Sequence, residues 1–170
     1  MDTNVLHQSF LESTIGLLKE YKTLGENALK QIPEDQWYWH YNESSNSVAV
    51  LIKHLWGNMM SRWTDFLESD GEKPWRERDM EFEHEDVSPK TLMAKWEQGW
   101  EMLFAAISGL TAEDMAKTVK INGKTYSVYD AILRQLAHYA SHIGQIMYIG
   151  KLLKGEEWIS LSIPKRPTTK

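Results

Sequence analysis

Apolar residues recur at helical spacing through four long segments of this chain, and that pattern restricts it to a helical bundle more tightly than any other feature. In the first segment, from about Asn4 to Gln31, the residues Leu6, Phe10, Leu11, Ile15, Leu18, Tyr21, Leu24 and Leu29 fall on one side. The second runs from about Val48 to Leu67, after a polar stretch, N-E-S-S-N-S, that supplies N-cap residues. The third opens on Ser88 as N-cap with Pro89 at its first helical position, and runs to about Gly109 with Leu92, Trp96, Leu103, Phe104 and Ile107 inward. The fourth follows Ser127, with Asp130 completing its cap, and continues to about Leu153.

The connections carry their own signals. Pro33 opens a short helical turn in P-E-D-Q-W, and Thr111 caps another in T-A-E-D-M. Asn122-Gly123 lies between two β-rich tripeptides, the pattern of a tight hairpin turn. The expected fold is therefore all-α, a four-helix bundle with a small β-hairpin before the last helix. Residues 1–162 form one domain, and 163–170 form a loose polar tail. The connection 69–87 is long and densely charged. It reads either as a surface strap pinned by Trp75 and Phe82, the favoured reading, or as a lid over a binding site.

Composition excludes several classes of function. The chain has no cysteine, so disulfides, thiolate metal sites and Cys nucleophiles are out, and any metal must have nitrogen and oxygen ligands. A net charge of -5 argues against nucleic acid as a partner. No apolar run approaches the roughly 20 residues that span a bilayer, and the first residues lack a secretory pattern, so no membrane is expected and a cytoplasmic location is the default. Eight Trp point to a bulky core or to a self-associating surface, and a homodimer is one expectation.

One constellation can carry chemistry. His138 and His142 are four apart in the last helix, one turn apart on the same face. A durable metal site needs a third ligand, and His54 in the second helix is the best candidate. Ser47, Asn58, Ser61 and Asp65 share the face of His54, which suits a polar pocket wall better than a plain core. Gln135 and Gln145 border the two histidines of the last helix, where an apolar stripe turns polar. The competing reading is a set of hydrogen-bonded interior histidines with no metal.

Further polar residues lie near these in the sequence. Asn58 and Arg62 follow His54 by one and two turns. Asn58 can orient a ligand, whereas Arg62 either holds a substrate anion or, the favoured reading, pairs with an acidic neighbour. Arg76, Arg78, Asp79 and Glu81 either make an ion-pair network or frame the pocket mouth, and Glu81 or Glu83 could fill an open metal position. His7 and His84 read as surface residues, His40 as part of an aromatic packing cluster, and Tyr139 as core. There is no H-E-x-x-H, no phosphate-binding Gly-rich loop and no G-x-S-x-G, and Ser141 diverges too far from His142 on a helix to form a dyad.

The helix order, the P-E-D-Q-W turn, the histidine of S-V-A-V-L-I-K-H-L-W-G-N-M-M-S-R-W and the H-x-x-x-H of the last helix resemble the DinB/YfiT-like superfamily of bacterial helical bundles over nearly the whole chain. With P-W-R-E-R-D-M-E-F, they are similar to an uncharacterised Bacillus-type subgroup. The resemblance implies one divalent metal, zinc or nickel, held by His54, His138 and His142. It also implies a metal-dependent enzyme, a thiol transferase of bacillithiol type or a hydrolase, acting on a small molecule or thiol. The alternative is a non-enzymatic metal- or ligand-binding bundle that self-associates.

Overall fold

The computed structural model describes residues 3–83 and 87–163. Among them are four α-helices, α1 (Thr3–Leu29), α2 (Val48–Trp63), α3 (Pro89–Ser108) and α4 (Val128–Lys154). Strands β1 (Thr118–Ile121) and β2 (Lys124–Ser127) form an antiparallel hairpin, with Thr118 opposite Ser127 and Ile121 opposite Lys124. In the turn, Asn122 and Gly123 both take positive φ, 51° and 73°, the geometry that an Asn-Gly turn adopts with least strain. The architecture is the expected all-α bundle with a hairpin ahead of its last helix.

Local chemistry starts the helices where the sequence places them. Ser47, Ser88 and Ser127 each accept a backbone N–H three residues on, from Val50, Thr91 and Asp130. Helix α2 stops earlier than its apolar pattern, at Trp63 instead of Leu67. The Thr64 hydroxyl donates to the Met60 carbonyl, Thr64 turns extended and Asp65 takes φ 49°, which lets Phe66 fold back into the core.

Helix α2 packs chiefly on α3, and α1 on α4, so the two halves of the chain interleave around one core. Trp63, Trp96 and Trp100 are almost fully enclosed. Tyr139 is core, as its position implied, and it is also bonded: Trp63 Nε1 donates to its hydroxyl at 2.9 Å, and that hydroxyl donates to Asn58 Oδ1 at 3.0 Å. The W-Y-W-H-Y run divides. Trp37 is buried and donates to the Ile32 carbonyl, whereas Trp39 and Tyr41 face solvent and His40 is half-buried. His7 is half-buried, not a free surface residue, because its Nδ1 lies 2.7 Å from the Ala112 carbonyl and its ring meets Tyr129 edge-on.

The connection after α2 is a strap, and its two expected pins divide: Trp75 is 55% exposed, whereas Phe82, 40% exposed, lays its ring 5.1 Å from that of His54. Polar groups hold the rest of the strap. Ser61 donates to the Gly71 carbonyl and accepts from Lys73 N–H, and Gly71 N–H reaches the Lys120 carbonyl of the hairpin at 2.8 Å. The Asp70 carboxylate receives the N–H groups of Asn122 and Gly123, both at 2.7 Å. Paired backbone and carboxylate groups satisfy the strap's polar atoms where it crosses the bundle and the hairpin, which an aromatic plug would leave unbonded. His84 lies outside the described residues, as do residues 164–170 of the expected tail.

Candidate metal centre

His54 sits in the middle of α2, and His138 and His142 in the middle of α4. One helical turn brings the α4 pair to a ring separation of 4.5 Å. The His54 ring lies 5.1 Å from His138 and 4.8 Å from His142. One ligand nitrogen from each of the three residues lies within 4.8 Å of the others. His54 is buried and the other two are half-buried.

His54 is aimed by a residue from the strap. Its Nδ1–H donates to Glu81 Oε2 at 2.9 Å, which in the neutral ring leaves Nε2 to face the other histidines. Arg76 grips the same carboxylate with two bonds, Nε to Oε1 at 2.7 Å and Nη2 to Oε2 at 3.0 Å. Burial by itself would raise the Glu81 carboxyl, but the hydrogen bonds from His54 and Arg76 outweigh it and hold the group below the usual carboxylate range.

Burial, with the neighbouring imidazoles and the charges of Arg76 and Arg62 adding to it, pushes His138 down to about 3. Burial and His54 push His142 down to about 4, against a hydrogen bond to the Gln145 side chain, which favours the protonated ring. Both rings are therefore neutral at ordinary pH, the form with a lone pair for a metal.

The donor set fits a divalent ion. His54 Nε2 and His138 Nε2 are 3.2 Å apart. Two nitrogens bound to one tetrahedral ion at the usual bond length would be about 3.3–3.4 Å apart. His142 Nδ1 is buried with no hydrogen-bond partner among the described residues, a loss that an interior packed for its own sake would avoid. Three imidazoles without thiolates suit zinc, nickel, copper and iron alike. The His54–His138–His142 cluster can hold a metal ion.

The site opens into a cavity of about 870 Å³ whose wall includes His54, His138, Asn58, Arg62 and Gln135. The other residues expected near the site have separate fates. Gln145 is exposed and lines a second cavity with Trp39, Tyr41 and Tyr148. Among the described residues Arg62 has no ion pair: its Nε and Nη1 are buried and without partners there, contrary to the expected acidic pair. Asp70, a nearby acid, is occupied by backbone N–H groups, and Glu72 lies 3.7 Å from Arg76. Glu81 does not join the ligand cluster but stands behind His54, and Glu83 is exposed while its carbonyl accepts from Lys53. The expected network is present where Arg76 meets Glu81, and Arg78 lines the cavity.

The chain matches, over residues 5–167, a family described as protein of unknown function (DUF1572). The chain belongs to that family. No curated protein matches it, and no solved structure does. The DUF1572 match spans all three histidines as well as Arg76 and Glu81, so the cluster and its support lie together inside the family region. It does not name the DinB/YfiT-like superfamily.

Sequence reasoning did not find the Glu81 support for His54, nor Gly57 behind it. A glycine inside an apolar helix carries a cost against alanine and is the signal that could have pointed there.

Proposed function

We propose that this DUF1572 protein is a metal-dependent enzyme of the DinB-like kind, with zinc or nickel held by His54, His138 and His142. The transfer of a small thiol to an electrophile is the preferred reaction, and hydrolysis of a small substrate is the second. The observation that carries the reading is His54 held by the Glu81 carboxylate while its Nε2 faces His138 in the wall of a large cavity. A purely structural histidine needs neither the paired carboxylate nor the access.

A divalent ion in this position supplies Lewis acidity and lowers the pKa of a thiol or water that meets it. The chain's own groups do the rest. Glu81 keeps the proton on His54 Nδ1, and Arg76 keeps Glu81 ionised and in place. Helices α2 and α4 shield the imidazoles from one side and leave the cavity side open to substrate.

The rival reading is a non-enzymatic binding protein. In its favour, Glu72 is the only carboxylate in the cavity wall among the described residues, so an uncommitted acid or base is scarce there. Elemental analysis of protein purified without a metal-affinity tag tests the first step. Wild type should hold close to one equivalent of metal and the His138→Ala/His142→Ala variant close to none. Equal, near-zero content in both would remove the metal reading. A screen of low-molecular-weight thiols against electrophiles then separates enzyme from binder, and absence of turnover by the loaded protein would favour the binder.

A further inference from the structure

The metal-site reading leaves the most unusual side chain of the cavity without a task. Arg62 is only 6% exposed, and its Nε and Nη1 have no hydrogen-bond partner among the described residues. A buried guanidinium whose donors lack partners is costly, because two of its N–H groups have lost water while the nearby acids Glu72 and Asp70 act on it only through space. Burial pushes the group below its usual range, and the charge of Arg76 adds to this against Tyr139, Glu72 and Asp70.

The surroundings preserve this state. Gly71 lies against the guanidinium, so that a Cβ there would come within 3.0 Å of Arg62 Cδ and closer still to Nη1. Asp70, next in sequence, spends its oxygens on the N–H groups of Glu72, Asn122 and Gly123. Gln135 faces the same cavity, 6% exposed, and its Oε1 is also unpartnered. Arg78, Lys124 and Arg134 add positive charge to the wall, against the single acid Glu72. This is a cationic cavity in a chain whose net charge is -5.

We infer that Arg62 forms a recognition subsite for the anionic group of a small substrate, a carboxylate or a phosphate, beside the three histidines, with Gln135 placed to accept from a donor elsewhere on the same substrate. The guanidinium offers a fork of N–H donors matched to the paired oxygens of either group, and Gln135 Oε1 is free to accept from a ligand donor. The cavity, at about 870 Å³, has room for a body beyond the anion, and Ile121, Tyr126 and Ala137 give it an apolar side. This inference deepens the metal-centre reading, since it names the substrate class for the same cavity, but Arg62 holds its place independently of the ion.

The test is calorimetric titration of zinc-loaded and metal-free protein with benzoate and with phenyl phosphate, which share a body and differ in the anion. Benzyl alcohol is the neutral control. At least one of the two anions should bind wild type, and Arg62→Gln should weaken that binding tenfold or more while its metal content stays at the wild-type level. Arg62→Lys keeps the charge without the fork, and should fall between the two. The melting temperature gives a second reading that a structural arginine would move the other way: Arg62→Gln should melt at or above wild type, because it relieves an unpaired buried charge. Failure of both anions to bind wild type would overturn the inference, as would equal binding to Arg62→Gln or equal binding of benzyl alcohol. If the protein takes up no metal yet anion binding still depends on Arg62, the anion subsite stands and the metal reading falls. Metal uptake with no dependence on Arg62 gives the reverse.

Discussion

Gly57 stands one turn after His54 on α2, and the space a side chain would take there is filled by the Glu81 carboxylate. A Cβ at Gly57 would lie 2.8 Å from Glu81 Cδ and closer to Oε1. An interior helical glycine costs roughly 0.5–1 kcal/mol against alanine, so the position gives up helix stability to admit the group that aims His54. Gly57→Ala is expected to push Glu81 off the His54 Nδ1 and to weaken metal binding about tenfold or more. A chelator-competition titration reads this directly, and unchanged affinity would show that Glu81 does not orient the site.

Removing the carboxylate itself separates aim from packing. Glu81→Leu takes from the Arg76 side chain, 3% exposed, both of its short bonds and leaves it only Glu72 at 3.7 Å, and a broken buried pair costs about 3–5 kcal/mol. The double variant Glu81→Leu/Arg76→Met should recover most of that stability but not the metal affinity. Denaturant midpoints and metal titrations on the three proteins measure the two effects apart. Recovery of both together would place the role of Glu81 in packing alone.

Metal removal should lower thermal stability. An ion that binds only the folded chain contributes about 2.7 kcal/mol when its free concentration is 100 times its Kd. For a chain of this size that corresponds to a melting shift of about 5–10 °C. Differential scanning calorimetry with and without a chelator should show the shift in wild type, and none in His138→Ala/His142→Ala.

Tyr139→Phe tests the buried chain that runs from Trp63 through Tyr139 to Asn58 beside the site. The change leaves the Trp63 N–H and Asn58 Oδ1 without their shared partner, at a cost of about 1–3 kcal/mol. Metal content should not change, because no ligand is touched. A loss below about 0.5 kcal/mol in urea denaturation would mean that the two groups find other partners.

The strap should loosen in acid through Asp70. The N–H of Glu72, then those of Gly123 and Asn122, outweigh the opposing effect of burial and hold its carboxyl below the usual range. A depressed folded-state pKa stabilises the fold above the ordinary carboxylate range, and that contribution is lost as pH falls through the lower, folded value. The pH dependence of stability measured on metal-free protein below about pH 4 should therefore be flatter in Asp70→Asn. Identical acid limbs would remove Asp70 as the strap's tether.

What the sequence determined by itself was local in the chain. The caps Ser47, Ser88 and Ser127 bond groups three residues away, the Asn122-Gly123 turn needs only its own backbone preferences, and the spacing of His138 and His142 is one turn of one helix. Apolar periodicity told which faces would be covered, which was enough for a bundle. Tertiary structure alone decided what covers them: Glu81 reaches His54 across 27 residues and enters where Gly57 leaves room, Trp75 stays outside while Asp70 and Ser61 hold the strap, and Arg62 is buried with no acid bonded to it among the described residues. The physical reason is competition for partners. Asp70 could pair with Arg62 or cap the hairpin turn, and only the positions of both in space determine which bond forms. A local rule has no access to that choice.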